Sequence, residues 1–424
     1  MFNRLLSCRF YFICVLAGIM VGCLGALFRF LLSKLDALRS YFLDWTATQN
    51  AETSFVAIAV ICISCAVIAR YLVRPMKRAQ GSGIQYIEAE WQGMVSPSNW
   101  RLIPIKFLGS LLSLGSGMAL GREGPIVQMG ATIGTYVSKW IGLTPEEVRF
   151  LTVASAGSGL GVAFSAPMGG ILFTLEEVTK SFNTKLTLAT FFCVSSGCFV
   201  SMTLLGNRPD YLVEYRFFNF PTLFLVGLYF ALGIFTGLMG TLYNRLVLKL
   251  LTVQSHITSI SIELRCVLLG LIVSMSLFFV PKWSGSGEIL GAQVINDLIP
   301  LHLLLLIALF RWFFAPLCYS FGVPGGLFSP LIVMGCILGQ LFGSVAELVY
   351  GGVDSTSFCI AGMASFFSAT IGAPLTGIFL LLEMTVSWDL ILPVTVASSS
   401  AFLTMKLLGT LPIYTSLQGR ISSK

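Results

Sequence analysis

Residues 121–134 read GREGPIVQMGATIG, and residues 326–339 read GLFSPLIVMGCILG. The opening glycine, the proline, the Met-Gly pair and the closing glycine fall at the same places in both. Two further pairs of anchors keep the same order. Upstream, Gly81-Ser82-Gly83 answers Gly285-Ser286-Gly287. Downstream, Ala166-Pro167, Gly170-Ile171 and Glu176 answer Ala373-Pro374, Gly377-Ile378 and Glu383. Each anchor recurs about 205 residues on, the mark of a duplicated unit. The spacing predicts a single transmembrane domain over 1–424 made of two halves, roughly 10–206 and 221–410, which meet in the polar stretch Asn207–Pro221. It leaves open whether the halves are parallel or inverted.

The sequence around these anchors is apolar. Of 424 residues, 56% are hydrophobic and 11% charged, against ~25% charged in a soluble domain. So few charges cannot cover a water-facing globule. Largely apolar runs of near membrane-spanning length recur at Phe10–Leu32, Phe55–Val73, Leu223–Leu242, Cys266–Val280, Leu301–Leu317, Phe358–Leu382 and Leu390–Leu408. The chain reads as an all-α polytopic membrane protein surrounded by lipid. A soluble enzyme, a secreted disulfide scaffold and a nucleic-acid binder are excluded as main readings.

Net charge is +7. Arg4 and Arg9 precede the first run, and Arg70, Arg74, Lys77 and Arg78 cluster around the end of the second. Basic residues stay on the cytoplasmic side, which places the N-terminus and the region near residue 75 inside. The first run imitates a signal peptide, down to a lipoprotein-like Met20-Val21-Gly22-Cys23, but it stays apolar to Leu32 and reads as a first membrane helix. The chain ends soon after its last apolar run, so no soluble regulatory domain is expected.

Classical catalytic signatures are missing. Cys62 and Cys65 form a CxxC inside a membrane segment, and His256 and His302 are the only histidines; the eleven cysteines read as small core residues. There is no GxSxG elbow and no GxxxxGK[ST] loop. Neither an enzyme nor a cofactor is expected.

The duplicated anchors are Gly- and Pro-rich breaks in apolar sequence. Broken helices persist in lipid only where they line a cavity or are buried in protein, and repeated halves with such breaks mark transport pathways. Pro125 and Pro330 suit the first turn of a helix. The glycines ahead of them leave N–H groups to face an anion. Gly81-Ser82-Gly83 adds a third start with a hydroxyl. Neutral donors would hold an anion without binding it too tightly to release. Glu123 sits at one break, where a bare carboxylate is costly. It either occupies the anion site itself and swings away when protonated, or pairs with its neighbour Arg122.

Taken together, GSGI (81–84), GREGP with VQ following, GGLFSP and the late PIYTSL resemble the CLC family of chloride channels and proton-coupled chloride antiporters. Lys106 in LIPIKF and the segment SAPMGGILFTLEE add to the likeness, which covers essentially the whole chain and is nearest to bacterial members without regulatory domains. The resemblance implies a homodimer of broken, tilted helices in inverted repeats, each subunit with its own pathway. It implies selectivity-filter motifs at Gly81, Ser82, Gly83, Ile84 and Gln85, at Gly121, Arg122, Glu123, Gly124 and Pro125, and at Gly326, Leu327, Phe328, Ser329 and Pro330. Chloride would be held by the Ser82 hydroxyl, the Leu327 and Phe328 amides and the Tyr414 hydroxyl. Glu123 matches the outer gating glutamate and Glu177 the inner proton-transfer glutamate. Read without the family, Glu177 is a helix-end charge near Lys180, and Tyr414 an interfacial aromatic. Glu176 has a repeat partner in Glu383, whereas Glu177 aligns with Met384, which singles out Glu177.

The sequence departs from the family pattern at Gln85, where proline is usual, and mildly at Leu327 and Ser329. Gln85 raises a fluoride-exporting relative as an alternative, while Ser82, Pro125 and Tyr414 favour chloride. Glu88 and Lys106 either pair beside the inner proton route or are plain helix-end charges. The expected function is chloride/proton antiport in a cell inner membrane. A passive chloride channel on the same scaffold is the nearest rival, ahead of a broken-helix symporter for another substrate.

Overall fold

The computed structural model describes residues 2–206, 209–211, 213, 222–257, 259–297, 299–351 and 354–422. Most of the expected junction Asn207–Pro221 lies outside the described residues. Among them, the first half contains eight α-helices: α1 (Phe2–Ala47), α2 (Ala51–Leu72), α3 (Ile84–Trp91), α4 (Leu102–Gly115), α5 (Glu123–Ile141), α6 (Pro145–Phe164), α7 (Pro167–Leu172) and α8 (Thr184–Leu205). The second half gives eight more in the same order: α9 (Leu223–His256), α10 (Ile262–Phe279), α11 (Glu288–Asn296), α12 (Leu301–Ser320), α13 (Phe328–Tyr350), α14 (Ser355–Ile371), α15 (Pro374–Thr385) and α16 (Ile391–Leu407). A last helix, α17 (Ile413–Ser422), follows.

Eight of the described helices are long and apolar enough to cross a membrane, so the protein is multi-pass. Helix α1, with 46 residues, is about 70 Å long at 1.5 Å per residue. That is twice the ~30 Å hydrocarbon core, so it must tilt or protrude.

Two crossing helices, α8 and α13, are absent from the seven apolar runs. Polar residues dilute α8, and three of its hydroxyls return to the preceding turn: Thr187, Ser196 and Thr203 donate to the carbonyls of Asn183, Phe192 and Phe199, while the buried hydroxyls of Thr190 and Ser201 have no partner. Helix α13 is mostly buried against protein. Conversely, the run Phe358–Leu382 is not one helix. It breaks at Gly372, whose φ of +86° suits only glycine comfortably, and restarts at Pro374.

The two halves clasp one another at equivalent residues. The Gly121 N–H donates to the Gly326 carbonyl at 2.8 Å, and the Gly326 N–H returns the bond to Gly121 at 2.7 Å. This antiparallel bridge places a local two-fold axis between them. Glu176 accepts from the N–H groups of Leu375 and Thr376 at 3.0 and 2.7 Å, capping α15. Glu383 accepts from Met168 and Gly169 at 3.0 and 2.9 Å, capping α7. The pair matched by spacing thus makes matched contacts. Close helix packing repeats as well. A methyl on Gly130 would lie 2.5 Å from the Ser155 carbonyl of α6, and one on Gly335 2.5 Å from the Gly362 carbonyl of α14.

Each Gly-Ser-Gly loop is held by one buried cation. The Lys106 ammonium donates to the carbonyls of Ala79, Gly81 and Ser82 at 3.1, 2.6 and 3.2 Å. Arg311 donates to those of Trp283, Gly285 and Ser286 at 3.2, 2.7 and 2.9 Å. Of the two readings of Lys106, a pair with Glu88 or a plain helix-end charge, neither holds. Lys106 spends all three donors on carbonyls, which satisfies acceptors that the broken helix leaves behind. Arg311→Met should leave three buried carbonyls without that donor and cost ~2 kcal/mol or more. Thermal unfolding of the detergent-solubilised protein measures this, with Arg311→Lys expected to recover most of the loss.

Candidate functional site

Helix starts converge where the halves meet. Gly83, with φ +90°, caps α3, and a Cβ there would fall inside the Gln128 side chain. The Gly-Ser-Gly turn thereby packs directly on α5. A Cβ on Gly124, at the start of α5, would stand 2.5 Å from the Ser82 hydroxyl and 2.9 Å from its Cα. One on Gly326, just ahead of α13, would stand 2.6 Å from the Glu123 carboxylate and 3.0 Å from the Gly124 nitrogen. The absence of side chains at these glycines lets three helix starts reach one point.

Helix α17 completes the cluster. The fully buried Tyr414 hydroxyl lies 3.3 Å from that of Ser82. Its ring stands 5.7 Å from the Phe328 ring, which also meets Phe173 and Phe367 edge-on at 5.8 and 4.9 Å. Leu327 caps α13 and Phe328 opens it, at positions whose N–H groups have no acceptor within the helix. Ile84, Pro125 and Pro330 are buried in the first turns of α3, α5 and α13. The arrangement offers hydroxyls, backbone N–H groups and aromatic walls, which together suit a small, partly dehydrated anion.

Glu123 is fully buried at the start of α5. Its carboxylate accepts from the Ser329 backbone N–H at 3.1 Å and the Ser329 hydroxyl at 3.0 Å. It therefore sits on donors of the α13 start, as an anion would. It does not pair with Arg122. That guanidinium turns away to Asp210 at 3.0 Å, Glu288 at 3.2 Å and the Ala163 carbonyl at 3.0 Å. Asp210 also meets Arg29 at 3.4 Å.

Glu177 belongs to another element, within electrostatic reach of Tyr414. It falls in a widened π turn, Phe173–Val178, that continues α7. It is buried, unlike a surface helix-end charge, and its carboxyl meets that of Glu88. Glu176, next to it, is committed to capping α15. Two buried carboxyls in contact are a natural place to hold one proton between them. Gln85 is also buried, its Oε1 without a hydrogen-bond partner, on the wall of a cavity of about 670 Å³ that reaches Gly81 and Tyr319.

Sequence reasoning missed Arg311, although it stands about 205 residues after Lys106, the offset that revealed the repeat. It also missed Asp210 and Glu288, for which the sequence carries no signal.

The sequence pattern of the voltage-gated chloride channel family matches residues 65–406. The chain belongs to the CLC family. It is 34% identical over 421 residues to the H+/Cl− exchange transporter ClcA of Vibrio cholerae serotype O1 (strain M66-2), covering 96% of this chain and 89% of that protein. Identity to the H+/Cl− exchange transporter ClcA of Vibrio vulnificus (strain YJ016) is 32% over 423 residues, again with 96% and 89% covered. The crystal structure of a slow cyanobacterial Cl−/H+ antiporter superimposes with a TM-score of 0.93 at 29% identity, covering 98% of each chain. A CLC-type fluoride/proton antiporter shares the fold, with a TM-score of 0.77 at 21% identity over 93% of this chain and 94% of that one. The all-helical CLC fold is thereby established for this sequence.

Gly124→Ala tests the convergence. The added methyl meets Ser82 backbone as well as its hydroxyl, so the turn must retreat. Halide affinity measured by calorimetry should fall about tenfold or more, while the melting temperature shows that the protein remains folded.

Proposed function

We propose that the chain exchanges chloride for protons across a bacterial-type inner membrane, with its N-terminus on the cytoplasmic side. The observation that carries this reading is Glu123 seated on the N–H and hydroxyl of Ser329, a carboxylate held by anion donors. Chloride is coordinated by the Ser82 and Tyr414 hydroxyls and the Leu327 and Phe328 amides. Glu123 competes with it for the outer end of that path. Protonation removes the competing charge, and the side chain leaves with its proton.

The two substrates then part. Chloride continues past Ser82 and Tyr414, whose uncharged donors release it readily. The proton passes to Glu177, which Glu88 adjoins. The single transmembrane domain comprises repeats near 10–206 and 221–410. Two copies associate as a homodimer, each with a complete path. Ion gradients drive the exchange.

Reconstitution in liposomes tests the mechanism, with external pH recorded under an imposed chloride gradient. Wild-type protein should move protons uphill. Glu177→Gln should keep chloride flux while proton flux falls about a hundredfold or more. Chloride flux with a flat pH trace in both proteins would mean a passive channel. Glu123→Gln, a permanent mimic of the protonated gate, should also abolish proton movement. Wild-type chloride flux should rise as the gate side is acidified, and this variant should lose that dependence.

A further inference from the structure

Asp210 belongs to the stretch between the halves, and the residue after it fixes where it lies. Tyr211 is fully buried. Its N–H donates to the Met384 carbonyl of α15 at 3.1 Å, and a Cβ on Gly291 of α11 would stand 2.8 Å from its ring. Asp210 is thereby held beside the start of α5. One carboxylate oxygen faces Arg122 at 3.0 Å, and the other faces Arg29 of α1 at 3.4 Å.

The Arg122 guanidinium is held at three points: Asp210, the Glu288 carboxylate at 3.2 Å and the Ala163 carbonyl at 3.0 Å. Arg29 has two neutral anchors, the Val162 carbonyl and the Ser165 hydroxyl, both at 2.8 Å. Asp36, also on α1, is taken by Arg39 at 2.7 Å. Without Asp210, the ion pairs of both guanidinium groups would fall to one carboxylate, Glu288.

Arg122 directly precedes Glu123 and acts on it electrostatically. The Tyr414 phenol of α17 also faces Glu123, and α13 presents the neutral donors of Ser329. Lys106 of α4 is turned to the carbonyls of the Gly-Ser-Gly loop, and Glu88 of α3 to Glu177. The balance at Glu123 therefore depends on where the Arg122 charge is spent.

We infer that Asp210 is a positioning residue for the gate, holding the Arg122 guanidinium off the Glu123 carboxylate. It lies outside the chloride ligands and acts through Arg122. Released from Asp210, the guanidinium has less of its charge offset and one nitrogen free to turn toward Glu123. Both changes favour the ionised carboxylate on the Ser329 donors, so more protons are needed to free it. The stretch that joins the halves thus sets the pH at which the path opens. This inference rests on the gating role proposed for Glu123.

Chloride flux from liposomes, recorded across a range of gate-side pH, is the test. Asp210→Asn should lower the pH of half-maximal flux by about half a unit or more, a roughly threefold rise in the proton concentration required. Asp210→Glu, which keeps the charge, should stay near wild type. Arg122→Gln should raise the midpoint. Adding Asp210→Asn to it should then move the midpoint less than half as far as it does in the wild-type background. Melting temperatures show that each variant is folded. Should Arg122→Gln not fold, the contrast between Asp210→Asn and Asp210→Glu decides alone.

The failures are distinguishable. A midpoint that Asp210→Asn leaves in place or raises would overturn the positioning role. The gate would survive that result if wild-type flux depends on pH and Glu123→Gln flux does not. An equal shift with and without Arg122 would also overturn the role, because Asp210 would then act by its own charge. Wild-type flux indifferent to pH, or a dependence that Glu123→Gln keeps, would overturn the gate and this inference with it.

Discussion

Breaking a helix inside a membrane strands backbone donors and acceptors where water cannot satisfy them. The architecture follows from how this chain handles the two kinds. The stranded carbonyls of each Gly-Ser-Gly turn are gathered onto one buried cation, Lys106 in one half and Arg311 in the other. The stranded N–H groups are left facing the convergence point. Separating acceptors from donors in this way makes the centre of an apolar protein attractive to anions without placing a positively charged side chain in the path. The Gly121–Gly326 bridge fixes the spacing between the halves, so the donors of α5 and α13 stay aimed at one place.

Repeat symmetry separates scaffold from chemistry. Positions that correspond and make corresponding contacts support the frame: Gly121 with Gly326, Glu176 with Glu383, Lys106 with Arg311. The chemically distinctive residues break the correspondence. Glu123 stands opposite Phe328, and Glu177 opposite Met384. In each case one half offers a proton-binding carboxyl and the other an apolar side chain. A strictly symmetric pore would have gates at both ends or none. Under the proposed exchange, the asymmetry gives one anion path a single carboxylate stopper, and confines the buried Glu177 carboxyl to the first half.

Sequence made the duplication and the helix breaks legible because glycine and proline mark backbone geometry directly. It placed Ser82, Gly124 and Glu123 on breaks, but not within contact of one another. Their meeting is a consequence of how the two halves clasp, and no local pattern encodes that. Helices α8 and α13 are no less apolar than α16, which the apolar runs include; scattered polar residues, Ser195 and Ser196 in one and Gln340 and Ser344 in the other, interrupt the unbroken apolar stretch that such a reading looks for. Lys106 was visible as a buried charge, yet its partners were not. Backbone carbonyls carry no sequence signature, so a carboxylate was the natural partner to expect. Arg122, the alternative partner for Glu123, forms no pair with it, because the start of a helix sends successive side chains in different directions.

Charge is balanced beside Glu123. Arg29 and Arg122 are matched there by Asp210 and Glu288, so positive and negative charges offset one another. Were Arg122 free of these carboxylates, its whole field would favour an ionised Glu123 on the Ser329 donors. Tying the guanidinium to two other carboxylates weakens that pull. Under the proposed exchange, this is what leaves Glu123 free to answer to protons.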